Sequence, residues 1–452
     1  MISRLVQKNK ILLTNQQFGA ALIFFVFIIA IVATAYALNS LSGTELRLDR
    51  DNKTSAAMAE AKAALLAYSS TQDLTGSCTT SCKRPGDLPC PDIDNDGSSN
   101  APCSSQTQRI GRLPWKTLGI ADLRDGTGER LWYAVSTNYK NSPRIIPLNS
   151  NTLGTISLYD TEGNRLNDGS LTSGLVAVIF SAGSPIKRQD NLSQTRDQTN
   201  ENIPANYLDI GVGQDNAEFA DSSINGFIQG PVIDVNGDTI INDRLVAISR
   251  EEMIAAMEKR VLAEGLNAFL DYYCGITNVD YVTKTCSSAS GNRYFPTPAL
   301  FNDATCLIAG NLTGCFSNAT SILHGRVAAN LTPDWSSTSI LRSISNGNWF
   351  QQNGWRELIH YAVSARCVSG TTNCSGTQTL LTLNNAQHSP EDNKQLIFIA
   401  TGSSLAGQLR MSTTDKSSEA NYLEGQNLTV SDTYVRTTPI SNAINDRAVS
   451  LP

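Results

Sequence analysis

An uncharged apolar segment at residues 20–38, AALIFFVFIIAIVATAYAL, most constrains what this chain can fold into. Its nineteen residues, at about 1.5 Å each in a helix, extend roughly 28 Å, close to the hydrocarbon thickness of a bilayer. The preceding residues carry Arg4, Lys8 and Lys10 and no acid, and basic flanks stay cytoplasmic. The sequence therefore predicts a single transmembrane helix over residues 20–41, with the rest of the chain outside the cytoplasm.

The helical pattern continues beyond the apolar segment. No proline occurs between Ala20 and Ser70, so we expect one long helix whose second half packs on a globular domain. A cleaved signal peptide fits less well, because its apolar region is usually shorter and precedes a cleavage site. The apolar positions that recur at helical spacing in the second half are Ala57, Ala61, Leu65 and Tyr68.

Ten cysteines lie downstream of the apolar segment, mostly as near neighbours in loops rich in Gly, Ser, Thr and Asn. An even number in such loops predicts disulfides and an oxidising compartment. Zinc is the alternative, but no pair has the two-residue spacing of a zinc knuckle and no histidine lies nearby in sequence. The pairs favoured by proximity are Cys78–Cys82, Cys90–Cys103, Cys274–Cys286, Cys306–Cys315 and Cys367–Cys374.

Charge and length limit the partners and the architecture. The net charge is −6, and it becomes −9 without residues 1–19, since 32 basic then face 41 acidic residues. Such a chain repels phosphate backbones, so no nucleic-acid partner is expected. A length of 452 residues with 40% hydrophobic composition predicts two or three folded domains.

The residues Gln17-Phe18-Gly19-Ala20-Ala21-Leu22 resemble the processing site of type IV prepilins and type II secretion pseudopilins. In that family a membrane peptidase cuts after the glycine and methylates the new amino terminus. The resemblance implies a cytoplasmic leader over residues 1–19, cleavage between Gly19 and Ala20, and packing of the helix against other subunits and inner-membrane lipid. The residues it assigns to the assembly helix are Ala21, Leu22, Phe24, Phe25 and Ile28.

Two departures from the family pattern are present. Phe18 replaces the usual basic residue before the glycine, and Phe24 replaces a glutamate that major pilins carry. That glutamate is thought to pair with the amino terminus of a neighbouring subunit inside the apolar filament, where an unpaired charge is costly. The K-type minor pseudopilin at the filament tip resembles this chain in lacking it, and the large head also favours a tip position.

Several sequence landmarks occur twice in the same order, which predicts a tandem duplication. We expect an α+β protein in which the long transmembrane helix is followed by two tandem pilin-like heads, residues 42–248 and 249–452, each a helix packed on an antiparallel β-sheet. A capping box, Ser249 with Glu252, starts the second helix. The paired landmarks are 56–58 with 255–257, 133–136 with 361–364, 183–184 with 402–403, and 205–209 with 420–424.

An acidic loop is a candidate calcium site. Asp92, Asp94 and Asp96 alternate before Gly97, a spacing that can wrap oxygen ligands around Ca²⁺. Position twelve of the loop is Cys103 rather than an acid, so a complete EF-hand is excluded. Calcium in loops of the head is a known property of pseudopilins, so the resemblance favours the site. The alternative is a solvated acidic turn.

A cluster of aromatic residues is a candidate partner surface. Trp115, Trp132 and Tyr133 stand among paired charged residues, and aromatic residues with Arg are enriched at interfaces. The alternative is that these rings pack in the core, with the charges in structural ion pairs.

No enzyme signature is present in the sequence. The histidines at 324, 360 and 388 form no metal motif, and nucleophile-elbow, phosphate-loop and dinucleotide motifs are lacking. The sequence thus predicts a non-enzymatic minor pilin or pseudopilin, processed by a prepilin peptidase, in the bacterial inner membrane with its heads in the periplasm or, after assembly, at the cell surface. It leaves open whether the apparatus is a pilus or a secretion system. The alternative is a membrane-anchored extracytoplasmic binding protein or glycan hydrolase that does not assemble.

Overall fold

The structure is a computed structural model that describes residues 17–72, 74, 83–145, 147–219, 226–289, 291–307, 313–318, 322–344, 347–371, 374, 380–385, 388–429, 431–436 and 443–452. In the first helix, side chains are described at 28–32, at 34 and from 45 onward. The leader residues 1–16 and the predicted Cys78–Cys82 pair lie outside the described residues.

The described residues form an α+β protein, as the sequence predicts. The α-helices are α1 Gln17–Thr71, α2 Trp115–Leu118, α3 Arg250–Cys274, α4 Trp349–Gln352, α5 Trp355–Leu358 and α6 Thr413–Lys416. Short 3-10 helices cover Thr107–Arg109, Pro204–Asn206, Ala304–Leu307, Glu419–Asn421 and Gly425–Leu428.

The strands of the first half are β1 Ile110–Arg112, β2 Trp132–Val135, β3 Leu158–Tyr159, β4 Arg165–Asn167, β5 Ala177–Ser181, β6 Ile210–Gly211, β7 Gln214–Asp215, β8 Phe227–Ile228, β9 Val232–Ile233, β10 Thr239–Ile241 and β11 Arg244–Ile248. Those of the second half are β12 Val279–Asp280, β13 Thr285–Cys286, β14 His324–Arg326, β15 Ile359–Val363, β16 Leu381–Asn385, β17 His388–Lys394, β18 Leu396–Ala400, β19 Thr433–Arg436 and β20 Arg447–Leu451.

Two four-stranded antiparallel sheets carry the architecture. The first has the order β1-β2-β5-β11 and the second β14-β15-β18-β20. Helix α1 packs on β5 and β11, and α3 packs on β18 and β20. We call α1 with the first sheet the first unit, and α3 with the second sheet the second unit. Each unit is thus a helix on a sheet whose last strand lies at the edge.

Equivalent contacts relate the two units. Tyr133 Oη donates to the carbonyl of Pro89 (3.2 Å), and Tyr361 Oη donates to that of Pro296 (2.9 Å). The helix ends also correspond, because the segment after each helix donates a backbone N–H to the carbonyl of Ser69 in α1 and of Tyr273 in α3. Equivalent positions of the two helices are therefore 204 residues apart in sequence, as Ser69 and Tyr273 are, whereas the repeated Ala-Ala-Met triplets are 199 residues apart. The triplets are therefore not structurally equivalent.

The start of α3 is set by local chemistry. The side chain of Ser249 accepts from the N–H of Glu252 (3.2 Å), whose carboxylate accepts from the N–H of Ser249 (2.9 Å). This confirms the predicted capping box, a device that stabilises a helix by about 1 kcal/mol. The helix ends before Gly275, which has a positive φ of 80°.

One continuous apolar core joins the two units. It includes Met58 of α1, Leu148 of a first-unit loop, and Met257 and Val261 of α3. At the same boundary Glu258 is fully buried, accepts from Ser150 Oγ (2.6 Å) and pairs with Arg447 (2.7 Å). Burial raises the pKa of Glu258 to about 7. The units are therefore packed as one body.

The expected transmembrane helix over residues 20–41 is a wrong prediction. Across the described part of the chain, no helix has both the length and the apolar character needed to cross a membrane. A span needs about 20 consecutive apolar residues, whereas α1 runs on to Thr71 and carries charged side chains from Glu45 onward. The single-pass inner-membrane localisation was inferred from that helix and is corrected with it.

Four predicted disulfides are confirmed. Each closes a short loop, so its two cysteines remain close whatever the rest of the chain does. The bonds are Cys90–Cys103, Cys274–Cys286, Cys306–Cys315 and Cys367–Cys374.

Close packing of α3 on its sheet gives a testable prediction. A Cβ added to Gly265 would lie 2.2 Å from Cε1 of Phe398. Alanine is favoured over glycine inside a helix by about 1 kcal/mol, but the steric conflict is larger. We expect Gly265→Ala to lower the free energy of unfolding by about 1–3 kcal/mol in urea denaturation. Adding Phe398→Leu should restore part of the loss, and a net stabilisation by Gly265→Ala alone would contradict the close approach.

Candidate functional site

The first half of α1 presents apolar side chains to solvent. Ile28, Ile29, Ile31 and Val32 are between 49% and 63% exposed. Of the residues predicted to form an assembly helix, Ile28 is the one whose side chain is described. Gly19 and Ala20 lie in the backbone of α1. The side chains of these two, and those of Ala21, Leu22, Phe24 and Phe25, lie outside the described residues.

The second half of α1 is docked on the first sheet. Docking begins near Asp51, which pairs with Arg244 of β11 (2.6 Å), and Thr54, whose hydroxyl accepts from the N–H of Gly126 (2.9 Å). Gly126 allows this approach, since a Cβ there would lie 2.2 Å from the carbonyl oxygen of Arg50. The buried side chains that follow are Ala57, Met58, Ala61 and Leu65. One helix thus has a half packed on the sheet and, before it, exposed apolar side chains at residues 28, 29, 31 and 32.

The three predicted calcium ligands come together. One oxygen from each of Asp92, Asp94 and Asp96 lies within 4.8 Å of the others. Asp92 is buried and accepts from the N–H of Gly97 (2.7 Å), and Asp94 accepts from the side chain of Asn100 (3.0 Å). Burial raises the pKa of Asp92, whereas the bond from Asn100 lowers the pKa of Asp94.

Neighbouring groups hold the acidic loop in shape. The ring of Trp115 packs directly on Gly97, where a Cβ would lie 2.5 Å from Cε2. Lys116 donates to the carbonyl of Asp96, and Arg130 donates to the side chain of Asn95 (2.7 Å). Three carboxylates are the ligand type that Ca²⁺ prefers, and the donor set therefore fits the predicted ion.

The predicted aromatic partner surface does not form. Trp132 and Tyr133 are 1% and 0% exposed, because both faces of the sheet are covered at β2: Tyr133 packs in the cluster that includes α1, and Trp132 packs in a second cluster that includes Tyr207. The guanidinium carbon of Arg112 lies 4.2 Å from the Trp132 ring centroid. Trp115 is partly buried against the acidic loop. The alternative of core packing describes these three rings better.

A buried carboxyl network, not anticipated from the sequence, lies in the first unit. Asp243 Oδ2 accepts from the backbone N–H of Asp209 (2.8 Å) and from Nδ2 of Asn216 (2.9 Å). Asp209 accepts from Nε2 of Gln194 (2.8 Å) and from the backbone N–H of Asn242 (2.7 Å). Both carboxyl groups are fully buried. Burial raises the pKa of Asp209 to about 6 and that of Asp243 well above its usual value.

The second unit repeats this network bond for bond. Asp446 Oδ2 accepts from the backbone N–H of Glu424 (3.1 Å) and from Nδ2 of Asn427 (3.0 Å). Glu424 accepts from Nε2 of Gln408 (2.6 Å) and from the backbone N–H of Asn445 (3.2 Å). Burial raises the pKa of Glu424 and Asp446 as well.

An arginine closes each network in the same way. Arg196 donates to the carbonyl of Gly183 (2.6 Å), and Arg410 donates to that of Gly402 (3.0 Å). Each guanidinium also lies over a tyrosine ring of the repeated Asn-Tyr-Leu segment, at 5.0 Å in the first unit and 4.5 Å in the second. The two glycines have φ near +60°, a value that disfavours other residues.

The sequence holds a signal for these networks. Asn242-Asp243-Arg244 recurs as Asn445-Asp446-Arg447, and Gln194 and Arg196 recur with the same spacing as Gln408 and Arg410. Comparing the two halves for repeated polar residues would have found them.

Comparison of the chain with family models, with curated proteins and with solved structures found no match.

Proposed function

We propose that this chain is a minor pilin-like subunit that assembles through α1 with other pilin-like subunits, in a type IV pilus or a type II secretion pseudopilus. The observation that carries the proposal is the contrast within α1 between a second half packed on its own sheet and the exposed apolar side chains of Ile28, Ile29, Ile31 and Val32. Contiguous exposed apolar surface marks a site of interaction. The helices of neighbouring subunits are the proposed cover.

The arrangement of the exposed residues supports contact with more than one helix. At about 100° per residue, the positions 28, 29, 31 and 32 span an arc of roughly 160° around α1. A stripe that faces one partner helix is narrower than this. The exposed half therefore suits a place inside a bundle of helices.

The prepilin-like residues support a specific maturation and position. Gly19 and Ala20 would be the cleavage site, and the new amino terminus at Ala20 would be methylated. Phe24 leaves no carboxylate for the amino terminus of a neighbour. A subunit at the end of a filament has a neighbour on one side only, so the proposal places this large two-unit protein at the tip.

The first test concerns processing. We expect the native protein to begin with N-methylated Ala20, and Gly19→Ala to leave the leader attached, because on this proposal the peptidase accepts only a residue without a side chain before the cut. Mass spectrometry of the amino terminus measures both. Gly43→Ala, a glycine of the same helix away from the cut, is the matched control and should mature normally. A wild-type protein that retains Met1 would refute the proposal.

The second test concerns assembly. Ile31→Asp would place a carboxylate in the helix bundle, where an unpaired charge costs at least about 3 kcal/mol. We expect the assembled fraction, measured by crosslinking to other pilin-like subunits in cells, to fall by more than about a hundredfold. Leu166→Asp changes a residue of similar exposure in β4 and should assemble as the wild type does. Equal assembly of both variants would contradict the role of α1.

The third test concerns calcium, which we propose for the loop of Asp92, Asp94 and Asp96. Because Trp115 packs on this loop, its fluorescence should change when Ca²⁺ is added to chelator-treated protein. At a hundredfold excess over Kd, binding should stabilise the fold by about 2.7 kcal/mol. Asp94→Asn should abolish both effects, whereas Asp160→Asn, in another acidic turn, should not. An unchanged melt and spectrum in the wild type would exclude the site.

A further inference from the structure

The two repeated carboxyl networks carry an inference beyond assembly. We propose that Asp243 and Asp446 each retain a proton in the folded protein at neutral pH, and that release of these protons weakens the attachment of the two edge strands. The networks would then make both units sensitive to the same rise in pH. The same hydrogen bonds, burial and placement of charges occur in both units.

In the first unit, a second negative charge would have no counter-charge. Among the described residues, Asp243 and Asp209 are in no ion pair, and Asp243 Oδ1 has no hydrogen-bond partner in the protein. The nearby cation is Arg196, which directs its guanidinium to backbone carbonyls and to Glu129 at 3.6 Å. Two buried carboxylates side by side, with no cation hydrogen-bonded to either, are costly, and a shared proton removes one charge.

The second unit presents the same balance. Asp446 Oδ1 also lacks a protein partner within the described ranges, and its neighbouring carboxyl group is Glu424. The nearby cation, Arg410, donates to the carbonyls of Asn421 (2.6 Å) and Gly402 (3.0 Å). Glutamate has replaced aspartate in this copy, yet the bonds to both carboxyl groups are the same. The same hydrogen-bond geometry therefore forms with either aspartate or glutamate at this position.

The position of the networks links ionisation to the sheet edges. Asp243 and Asp446 directly precede β11 and β20, the last strand of each sheet. The arginine that follows each aspartate in sequence forms an ion pair with another acid: Arg244 pairs with Asp51, and Arg447 pairs with Glu258. A charge released at either aspartate would thus act on the hydrogen bonds that hold the start of an edge strand.

The direction of the pH effect follows from the protons bound. Burial, and then the neighbouring carboxyl group, raises the pKa of Asp243 and of Asp446. A carboxyl group whose folded-state pKa lies above the unfolded value contributes stability that is present at low pH and lost as pH rises. Each retained proton raises the unfolding equilibrium constant about tenfold per pH unit above the unfolded pKa, until the folded-state pKa is reached.

The test compares the full-length wild type with Asp243→Asn/Asp446→Asn in urea denaturation from pH 5 to pH 8. Asparagine keeps an oxygen for the two donors and is neutral at every pH. With rising pH, the unfolding equilibrium constant of the wild type should increase by up to about a hundredfold per pH unit more than that of the double variant. The double variant should therefore be the more stable protein at pH 8. The buried Glu258 contributes equally to both proteins, so its effect cancels.

A matched control is Asp125→Asn. Asp125 is also buried, but both its oxygens accept hydrogen bonds, from Thr127, Glu129 and Ser181. An amide there would place a donor against these donors, so the variant should be less stable than the wild type; a loss of slope as large as that of the double variant would overturn the assignment to Asp243 and Asp446. If the double variant does not fold, the carboxylic-acid C=O stretch in the infrared spectrum of the wild type decides. The band must also be present in Glu258→Gln, because Glu258, with a pKa of about 7, would itself be partly protonated at pH 7. Such a band at pH 7 that is lost on unfolding supports the proposal, and its absence, or equal slopes in the two proteins, overturns it.

Discussion

The structure depends on the burial of α1 and α3 in a common apolar core. Neither helix has a complete environment in its own unit, since Met58 and Leu148 of the first unit lie in the same cluster as Met257 and Val261 of the second. The hydrophobic effect stabilises this shared core, and it does so without fixing the orientation of the two units. The polar contacts at the boundary, Ser150 and Arg447 with Glu258, then fix how the two units meet.

The features that the sequence could predict are local ones. The four disulfides join cysteines 7 to 13 residues apart, and the capping box of α3 needs only Ser249 and Glu252. The acidic loop also gathers its carboxylates within five residues of chain, 92–96. Such features form whatever the tertiary structure is, so a pattern of residue types is enough to predict them.

The features that sequence reasoning missed depend on the order of strands and on distant segments. Trp132 is buried because distant segments, Tyr207 among them, cover its face of the sheet, and nothing near residue 132 determines that contact. The network of Asp243 joins positions from 194 to 243 that meet only after the sheet has formed. The transmembrane prediction failed for a different reason, because it treated the apolar composition of residues 20–38 as sufficient to predict a membrane-spanning helix.

The way α1 is attached determines how the protein responds to tension. None of the disulfides within the described residues joins α1 to its sheet. A pull along the helix axis is therefore resisted by non-covalent contacts alone, chiefly the side chains of Ala57, Ala61 and Leu65 sliding past β5 and β11. Because α1 also packs on α3, drawing the helix out of its unit would open the contact between the two units as well, so tension on α1 is felt by both.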